Sequence, residues 1–419
     1  MSAKMSGAKI LLECLLKEGV EVIFGYPGGA VLPIYDELYR YKDKIRHILV
    51  RHEQGSAHAA DGYARVKGRA GVCIGTSGPG ATNLVTGIAT AMMDSVPMVI
   101  ITGNVSSHLL GSDAFQETDI TGITQPIVKH SYLVTDPRDL AGVVKEAFYI
   151  AETGRQGPVH IDITKDAQIK EASFSYPSSV KIPGYKPEPV IATAKDVTRA
   201  ANLIKAALRP LIIAGHGVAL SGAYGELETL VRLTDIPVAN TLLGLGTFPQ
   251  NDSHWLGMLG MHGTAEANYA AAESDLILGI GIRFDDRITG NLEEFRKRKF
   301  IHFDIDPAEF HKNVKADVVL GGDVKRTLGM MNKRITNYEL QITNQKHTQW
   351  RAKIEEWRAK YKFKEIDAED LEKTQSKLSR KPHADTAHAD LAKRTLTTPE
   401  VISLISYCTK GEAIVTTGV

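Results

Sequence analysis

The sequence predicts an α/β protein with two consecutive doubly wound parallel-sheet domains and the start of a third, truncated α/β domain. Three observations predict this. Short, continuous apolar runs alternate with amphipathic segments of helical length, as strands buried on both faces alternate with the helices that cover them. A proline cluster, Pro177, Pro183, Pro187 and Pro189, interrupts the alternation and marks a domain boundary. At the far end, one amphipathic stretch and one apolar run precede Val419, which is too little for a core of its own. The length of 419 residues exceeds a single hydrophobic core and accommodates two or three domains.

The elements follow in order. In the first domain, residues 1–170, strands are expected at 20–24, 45–50, 72–75, 98–102 and 159–163. Helices are expected between them at 7–18, 54–66, 81–93 and 140–153. A linker occupies 171–191. The second domain, 192–337, has its strands at 210–214, 237–240, 275–279, 300–303 and 318–320. Residues 338–397 are highly charged and read as a helical and linker segment. Within it Trp350 and Trp357 share a helical spacing, and 377–394 reads as an exposed linker. Residues 398–419 begin the third domain, with a helix at 398–408 and a strand at 413–417.

Bulk composition excludes several classes. Hydrophobic content of 43% and charged content of 24% are ordinary for a globular protein. A formal net charge of +1 gives no general attraction to nucleic acid or to a membrane surface. Cys14, Cys73 and Cys408 are scattered and odd in number, so neither a disulfide framework nor a zinc pattern is expected. No apolar run is long enough to span a bilayer, and the first residues lack the apolar core of a secretory signal. A cytoplasmic location is the expectation.

The most informative stretch runs from Arg51 to Arg65. Glu53 stands where an apolar strand gives way to a helix rich in small residues, with Gly55, Ser56, Ala57, Ala59 and Ala60 following it. Such a helix can pack directly on backbone. A carboxyl held at its start can be desolvated, its pKa raised, and used for proton transfer. For an isolated acid the bland reading, a solvated carboxylate favoured by the helix dipole, would prevail. Tyr26-Pro27-Gly28-Gly29 precedes it, and Gly75-Thr76-Ser77-Gly78-Pro79-Gly80 follows, both after strands, where open α/β sheets bind ligands. Several other motifs fail. His52-Glu53 is no zinc-protease motif, because the next histidine is His58. Ala81 stands where a phosphate-binding loop needs lysine. Pro79 occupies the glycine position of a nucleophile elbow after Ser77. No metal site is expected within the chain.

These three segments, in this order, resemble the pyrimidine-binding domain of thiamine-diphosphate enzymes. The resemblance implies that Glu53 bonds the aminopyrimidine ring. It also places Tyr26, Pro27, Gly28, Gly29, Thr76, Ser77, Gly78, Pro79 and Asn83 around that cofactor. Gly111-Ser112-Asp113-Ala114-Phe115-Gln116-Glu117 and Gln125-Pro126-Ile127-Val128-Lys129-His130 narrow the resemblance to the acetohydroxyacid (acetolactate) synthase large-subunit family. By that match Gln116 lies beside the reacting centre, and Phe115 and Lys129 shape the substrate funnel.

The second domain resembles the flavin-binding domain of the biosynthetic members. Gly215-His216-Gly217, Thr241 to Gly246, Leu259 to Gly263, Gly281 to Arg287 and Phe303 to Pro307 carry the likeness. It implies FAD contacts from Arg155, Gly215, Gly217, Thr241, Leu242, Leu259, Met261, His262, Gly281, Arg283, Asp304, Ile305 and Asp323. It also implies that Arg287 holds the carboxylate of a second 2-keto acid, a task suited to a guanidinium fork. The plain alternative for Arg287 is a surface ion pair with Asp285 or Asp286. The resemblance implies condensation of pyruvate with pyruvate or 2-oxobutyrate, a homodimer or larger assembly, and a possible small regulatory subunit. Mg²⁺ and the cofactor diphosphate would be held by a Gly-Asp-Gly signature that the sequence lacks. Two other readings remain open, a non-catalytic flavin-binding fragment and another thiamine-diphosphate enzyme such as a pyruvate oxidase.

Overall fold

A computed structural model describes residues 4–188, 190–337, 347–361 and 398–415. Packing divides the chain into a unit Met1–Arg351 and a unit Ala352–Val419. The first unit contains two six-stranded sheets and a two-stranded ribbon. The ribbon pairs β1 (Lys4–Ser6) with a strand at Glu171–Ser173, antiparallel, so the first residues of the expected linker are ordered by pairing.

The first sheet uses β2 (Val22–Gly25), β3 (Arg46–Leu49), β4 (Gly71–Gly75), β5 (Met98–Asn104), β6 (His130–Val134) and β7 (Pro158–Thr164). Their order is β3-β2-β4-β5-β7-β6. Every neighbouring pair is parallel. Counting the ribbon strand Glu171–Ser173 as β8, the second sheet uses β9 (Pro210–Ala214), β10 (Val238–Asn240), β11 (Trp255–Met258), β12 (Leu276–Ile280), β13 (Lys299–Asp304) and β14 (Val318–Gly321). Its order is β11-β10-β9-β12-β13-β14, again parallel throughout. The ten strands expected in these sheets are present. β6 and β11 are additions, and both are edge strands. β6 mixes polar and apolar residues, and β11 is a four-residue run broken by Gly257.

Alternation along β5 shows how the faces are covered. Val99 and Ile101 join a core with Ile10, Leu11 and Leu15 of the helix Gly7–Lys17 and with Val144 and Phe148 of the helix Leu140–Glu152. Met98 and Ile100 face the other side, with Ala57, Ala60 and Ala64 of the helix Glu53–Lys67 and Ile88 of the helix Val85–Asp94. Each fully buried Leu, Ile or Phe contributes about 1.5–3 kcal/mol of hydrophobic stabilisation. A Cβ on Gly71 would lie 2.1 Å from the Ala60 carbonyl oxygen. The helix that begins at Glu53 therefore rests on strand backbone, which explains its run of small residues. The second sheet is covered likewise, with Ile212, Leu278 and Phe303 packed among Leu227, Leu230 and Leu328.

In each sheet the chain moves from its starting strand to one side and then returns to the other. The starting strands are β2 and β9. The loops after β2 and β4, and after β9 and β12, therefore flank a crevice at the carboxyl ends. The order of the second sheet, counted from β9, is the one associated with dinucleotide binding.

Trp350, on the helix Thr348–Lys360, is buried, and its Nε1 donates to the Pro210 carbonyl at 3.0 Å. In the second unit the expected helix spans Thr398–Cys408 and exposes Ile402 and Ile405. Residues 413–415 form no strand, and 416–417 lie outside the described residues, as do Pro189 and the expected exposed linker at 377–394. Among the described residues no helix is long and apolar enough to cross a membrane.

Candidate active site

Glu53 is the first residue of the helix Glu53–Lys67, directly after β3. His52 caps the helix, its Nδ1 accepting from the Gln54 amide at 3.2 Å. Glu53 is only 8% exposed. Asn83 Nδ2 donates to its Oε2 at 2.9 Å. Its Oε1 faces the Gly-Pro-Gly turn, where a Cβ on Gly80 would lie 3.1 Å away. One carboxylate oxygen is thus held by a neutral amide while the other points at bare backbone. The expected helix at 81–93 is divided there, into Pro79–Thr82 and Val85–Asp94, with Asn83 at the junction.

The loop after β2 locks onto the loop after β4. The Ala30 amide donates to Thr76 Oγ1 at 3.2 Å, and a Cβ on Gly28 would lie 2.5 Å from the Thr76 Cβ. Ser77 is buried, whereas Tyr26, Pro27 and Gly29 are exposed at the mouth. Pro79 occupies the first turn of its short helix, where its missing N–H costs nothing. Gly78 has φ +57°, and a Cβ on it would meet the Gln116 carbonyl oxygen at 2.8 Å. The segment after β5 thereby reaches the Glu53 crevice, and Gln116 itself sits at φ +58°. Phe115 beside it is 87% exposed. The Glu117 carboxylate accepts from the amides of Gly111 and Ala114, which holds its pKa below the usual range and rigidifies the turn.

Lys129 is placed differently. Its Nζ donates to the carbonyls of Ile150 and Thr153 and to the Tyr185 hydroxyl, capping the helix Leu140–Glu152. Burial pushes its pKa down to about 8, with Asp306 opposing and Arg155 assisting the shift. Arg155 joins the two sheets, its Nη1 donating to Asp306 at 2.9 Å and Glu309 at 2.7 Å, and its Nε to Ser95 Oγ at 2.9 Å.

At the crevice of the second sheet the backbone closes on itself. The Gly217 amide donates to the Gly281 carbonyl at 3.1 Å, and a Cβ on Gly217 would lie 2.6 Å from the Gly281 Cα. Gly281 has φ +60°, a region where glycine is favoured. The Gly215 amide donates to the Ile280 carbonyl at 2.9 Å. Thr241 caps the short turn Leu242–Gly244. Leu242, Met261 and His262 are exposed around it, while Leu259 is buried. Asp304 ends β13, next to half-buried Ile305. Its Oδ1 accepts from the Asp306 amide at 2.9 Å, and burial pushes its carboxyl up to about 7. Asp323 caps the next helix by accepting from the Arg326 amide at 3.0 Å. Arg283 lies 3.5 Å from Asp285, and the exposed Arg287 lies 3.9 Å from Asp286.

Glu53, Asn83, Thr76, Gly78 and Gln116 are therefore brought together. Lys129 and Arg155 belong to a separate polar cluster between the sheets. Sequence reasoning missed Tyr35, on the helix Leu32–Arg40. Its hydroxyl lies 3.3 Å from His47 Nε2. Burial raises its pKa, and the nearby Glu53 adds to the shift. The signal was present, since an amphipathic stretch follows Gly28-Gly29 directly.

A buried acid beside a glycine turn at one switch point, followed by a dinucleotide-type sheet, is the arrangement that the resemblance to thiamine-diphosphate enzymes implies. Residues 5–123 match the thiamine pyrophosphate enzyme N-terminal TPP binding domain, and 197–331 match the central domain of the same enzymes. An acetolactate synthase large subunit from Parasynechococcus marenigrum is 52% identical over 367 residues, 85% of this chain and 58% of that protein. One from Pyropia yezoensis is 48% identical over 372 residues, 86% of this chain and 62% of its own. A probable acetolactate synthase large subunit from Methanococcus aeolicus is 47% identical over 406 residues, 95% of this chain and 67% of that protein. The chain belongs to the acetolactate synthase large-subunit family. It spans about three fifths of the length of the first two of these relatives.

Proposed function

We propose that this chain supplies the pyrimidine-binding and flavin-binding parts of an acetolactate synthase, which decarboxylates pyruvate and condenses the product with pyruvate or 2-oxobutyrate. The observation that carries this reading is the Glu53 carboxylate, buried, held by Asn83 on one oxygen and aimed at the Gly80 backbone with the other. The residues fit an aminopyrimidine ring. Gly28 and Gly80 let the two loops close on Thr76, from whose side chain a Cβ on either would lie only 2.5 or 2.6 Å, and this brings Glu53 Oε1 up to the Gly80 backbone. When bound, thiamine diphosphate supplies a carbon nucleophile that accepts the electron pair left by decarboxylation. Glu53 would hold or release a proton at the ring nitrogen facing it. Asn83 fixes the carboxylate, and Gln116, pressed on Gly78, faces the reacting side.

The switch point between β9 and β12 suits a dinucleotide, since the strand order counted from β9 is the dinucleotide-binding one and Gly215, Gly217 and Gly281 let its loops pack closely there. FAD would be the occupant, with Asp304 at the ribose side. Mg²⁺ and the diphosphate are assigned to the part of the family's length that this chain does not span. A homodimer or larger assembly, a small regulatory subunit and a cytoplasmic location complete the reading. Arg287, exposed and only loosely paired, would be free to take the second keto acid's carboxylate.

The test is acetolactate formation from pyruvate by the purified chain, with thiamine diphosphate, Mg²⁺ and FAD supplied. It is run alone and with the remaining portion of a relative's subunit added. Activity in either mixture that disappears with Glu53→Gln supports the reading. A chain that binds FAD yet forms no acetolactate in either mixture would leave only the flavin-binding role.

A further inference from the structure

Behind the Gln116 segment lies a run of polar side chains that the proposed chemistry does not use. Thr102 and Asn104 on β5, His160 and Asp162 on β7, and Thr124 at the end of the helix Ile120–Thr124 are all at most 5% exposed. They form one connected chain. Asn104 Nδ2 donates to Asp162 Oδ2 at 2.6 Å, and Thr102 Oγ1 donates to Asp162 Oδ1 at 2.6 Å. Thr102 Oγ1 also meets His160 Nε2 at 2.7 Å, and His160 Nδ1 meets Thr124 Oγ1 at 3.1 Å. By strand alternation these residues continue the face of Met98 and Ile100, against which the Glu53 helix packs. Apolar side chains fill that face lower down, so the switch to polar groups at the carboxyl end needs a reason. Buried polar groups give less stability than apolar packing and are costly when unpaired.

The reason lies in what the chain touches at its ends. Asn104 Oδ1 accepts from the Val105 amide at 2.7 Å, where the segment leaves β5. Thr124 closes the same segment, where its helix ends. Between these two anchors lie Phe115, Gln116 and Glu117. We propose that the buried chain Asn104–Asp162–Thr102–His160–Thr124 is a positioning element, which fixes both ends of residues 105–124 and so holds Gln116 against Gly78. That this segment borders a reaction site rests on the function proposed above. The positioning itself does not.

The donor pattern makes the device directional. A hydroxyl has one proton to give. With Asp162 ionised, Thr102 donates to it and must accept from His160 Nε2–H, so His160 Nδ1 accepts from Thr124. With Asp162 protonated, the order reverses, and His160 Nδ1–H donates to Thr124, whose hydroxyl is then free for the Ile120 carbonyl 2.8 Å away. Either order satisfies every member. Burial favours the neutral form of both ionisable groups, with Asp162 pushed up to about 6 and His160 down to about 4. The charged group that bears on Asp162 is Asp119, the cap of the helix Ile120–Thr124, which assists the upward shift while the hydrogen bonds from Thr102 and Asn104 oppose it.

The test compares Asp162→Leu, Asp162→Asn and Thr124→Val in the whole chain, read by amide hydrogen exchange and by the ¹⁵N shifts of the His160 ring. Asp162→Leu and Thr124→Val should each raise exchange across 105–124 by ~10-fold or more, with the Glu53–Lys67 helix unchanged. Asp162→Asn can take the reversed order, so its exchange should stay within ~3-fold of the parent and its His160 should carry the proton on Nδ1. If Asp162→Leu does not fold, Thr124→Val, which changes little volume, decides with Asp162→Asn. Unchanged protection of 105–124 in Thr124→Val, or loosening by Asp162→Asn as large as that by Asp162→Leu, would overturn the proposal. Loss of acetolactate formation in Glu53→Gln is a separate readout and moves neither outcome.

Discussion

The two sheets share a plan and differ in what they bring to the crevice. Each is six parallel strands with a switch point beside its starting strand and glycine loops at the carboxyl ends. At the first switch point the loops surround a side chain, with Glu53 buried, bonded to Asn83 and aimed at Gly80. At the second, Gly217 and Gly281 meet backbone to backbone. The first arrangement suits proton transfer, because one ionisable group is held at a fixed point. The second packs its two glycine loops directly on each other, so backbone shapes that switch point. The same topology thus presents a side chain at one switch point and backbone at the other.

The largest expected effect breaks the first half of that contrast. Glu53→Gln keeps the shape and can still accept from Asn83, but it cannot carry a proton. Acetolactate formation in the assembled enzyme should fall by ~10²–10⁴-fold, while flavin content per chain stays at the parent level. Steady-state turnover and the flavin absorbance spectrum check the two parts separately. Turnover within a few-fold of the parent would remove Glu53 from its role.

Next in size is the tie between the sheets. Arg155→Met deletes the partner of Asp306 and leaves Glu309, only 5% exposed, with Lys312 at 3.3 Å. Removing one member of a largely buried ion pair should cost about 3–5 kcal/mol, measured as a fall in urea-unfolding free energy. If the sheets then unfold in two steps, Arg155 is what makes them unfold together.

Gly281→Ala addresses the second switch point alone. A Cβ there would lie 2.6 Å from the Gly217 Cα, at a φ of +60°. Overpacking and the left-handed backbone together should cost about 3 kcal/mol. Flavin binding, followed by fluorescence quenching, should weaken, while the Glu53 crevice keeps its hydrogen-exchange protection. Equal loosening of both crevices would mean that the two sheets do not act as separate binding modules.

Much of this was legible in the residues, and the reasons differ by element. Central strands such as 98–104 and 276–280 are buried on both faces, so their apolar runs are continuous and easily read. Strand 130–134 mixes polar and apolar residues, and strand 255–258 is a short run broken by Gly257. Glu53, Gly78 and Gln116 could be connected before the structure only through resemblance, since they lie after three different strands. The Thr102–His160–Asp162 chain was not legible. Each of its members reads as an ordinary strand residue, and only the register of Thr102 opposite Asp162 brings them together. Arg155 and Lys129 were singled out only through the resemblance, and both have partners in the fold that spacing along the chain does not reveal.

The smallest effect sharpens the contrast through pH. Asp304 ends β13 beside the second crevice, and its carboxyl is raised from 3.8 to about 7. Burial is the main cause, opposed by the Asp306 amide and Arg155 and assisted by the charges of Asp306 and Glu309. A carboxyl whose folded pKa lies above its unfolded value favours the fold while it is protonated. Its contribution is complete below pH 3.8 and is lost as pH rises through about 7. Between pH 5 and 7 the flavin-free chain should therefore lose roughly 2 kcal/mol of stability from this group. Asp304→Asn cannot ionise, so its urea-unfolding free energy should decline less over that interval, by about the same amount. Parallel profiles for the parent and Asp304→Asn would show that Asp304 is already ionised at pH 5.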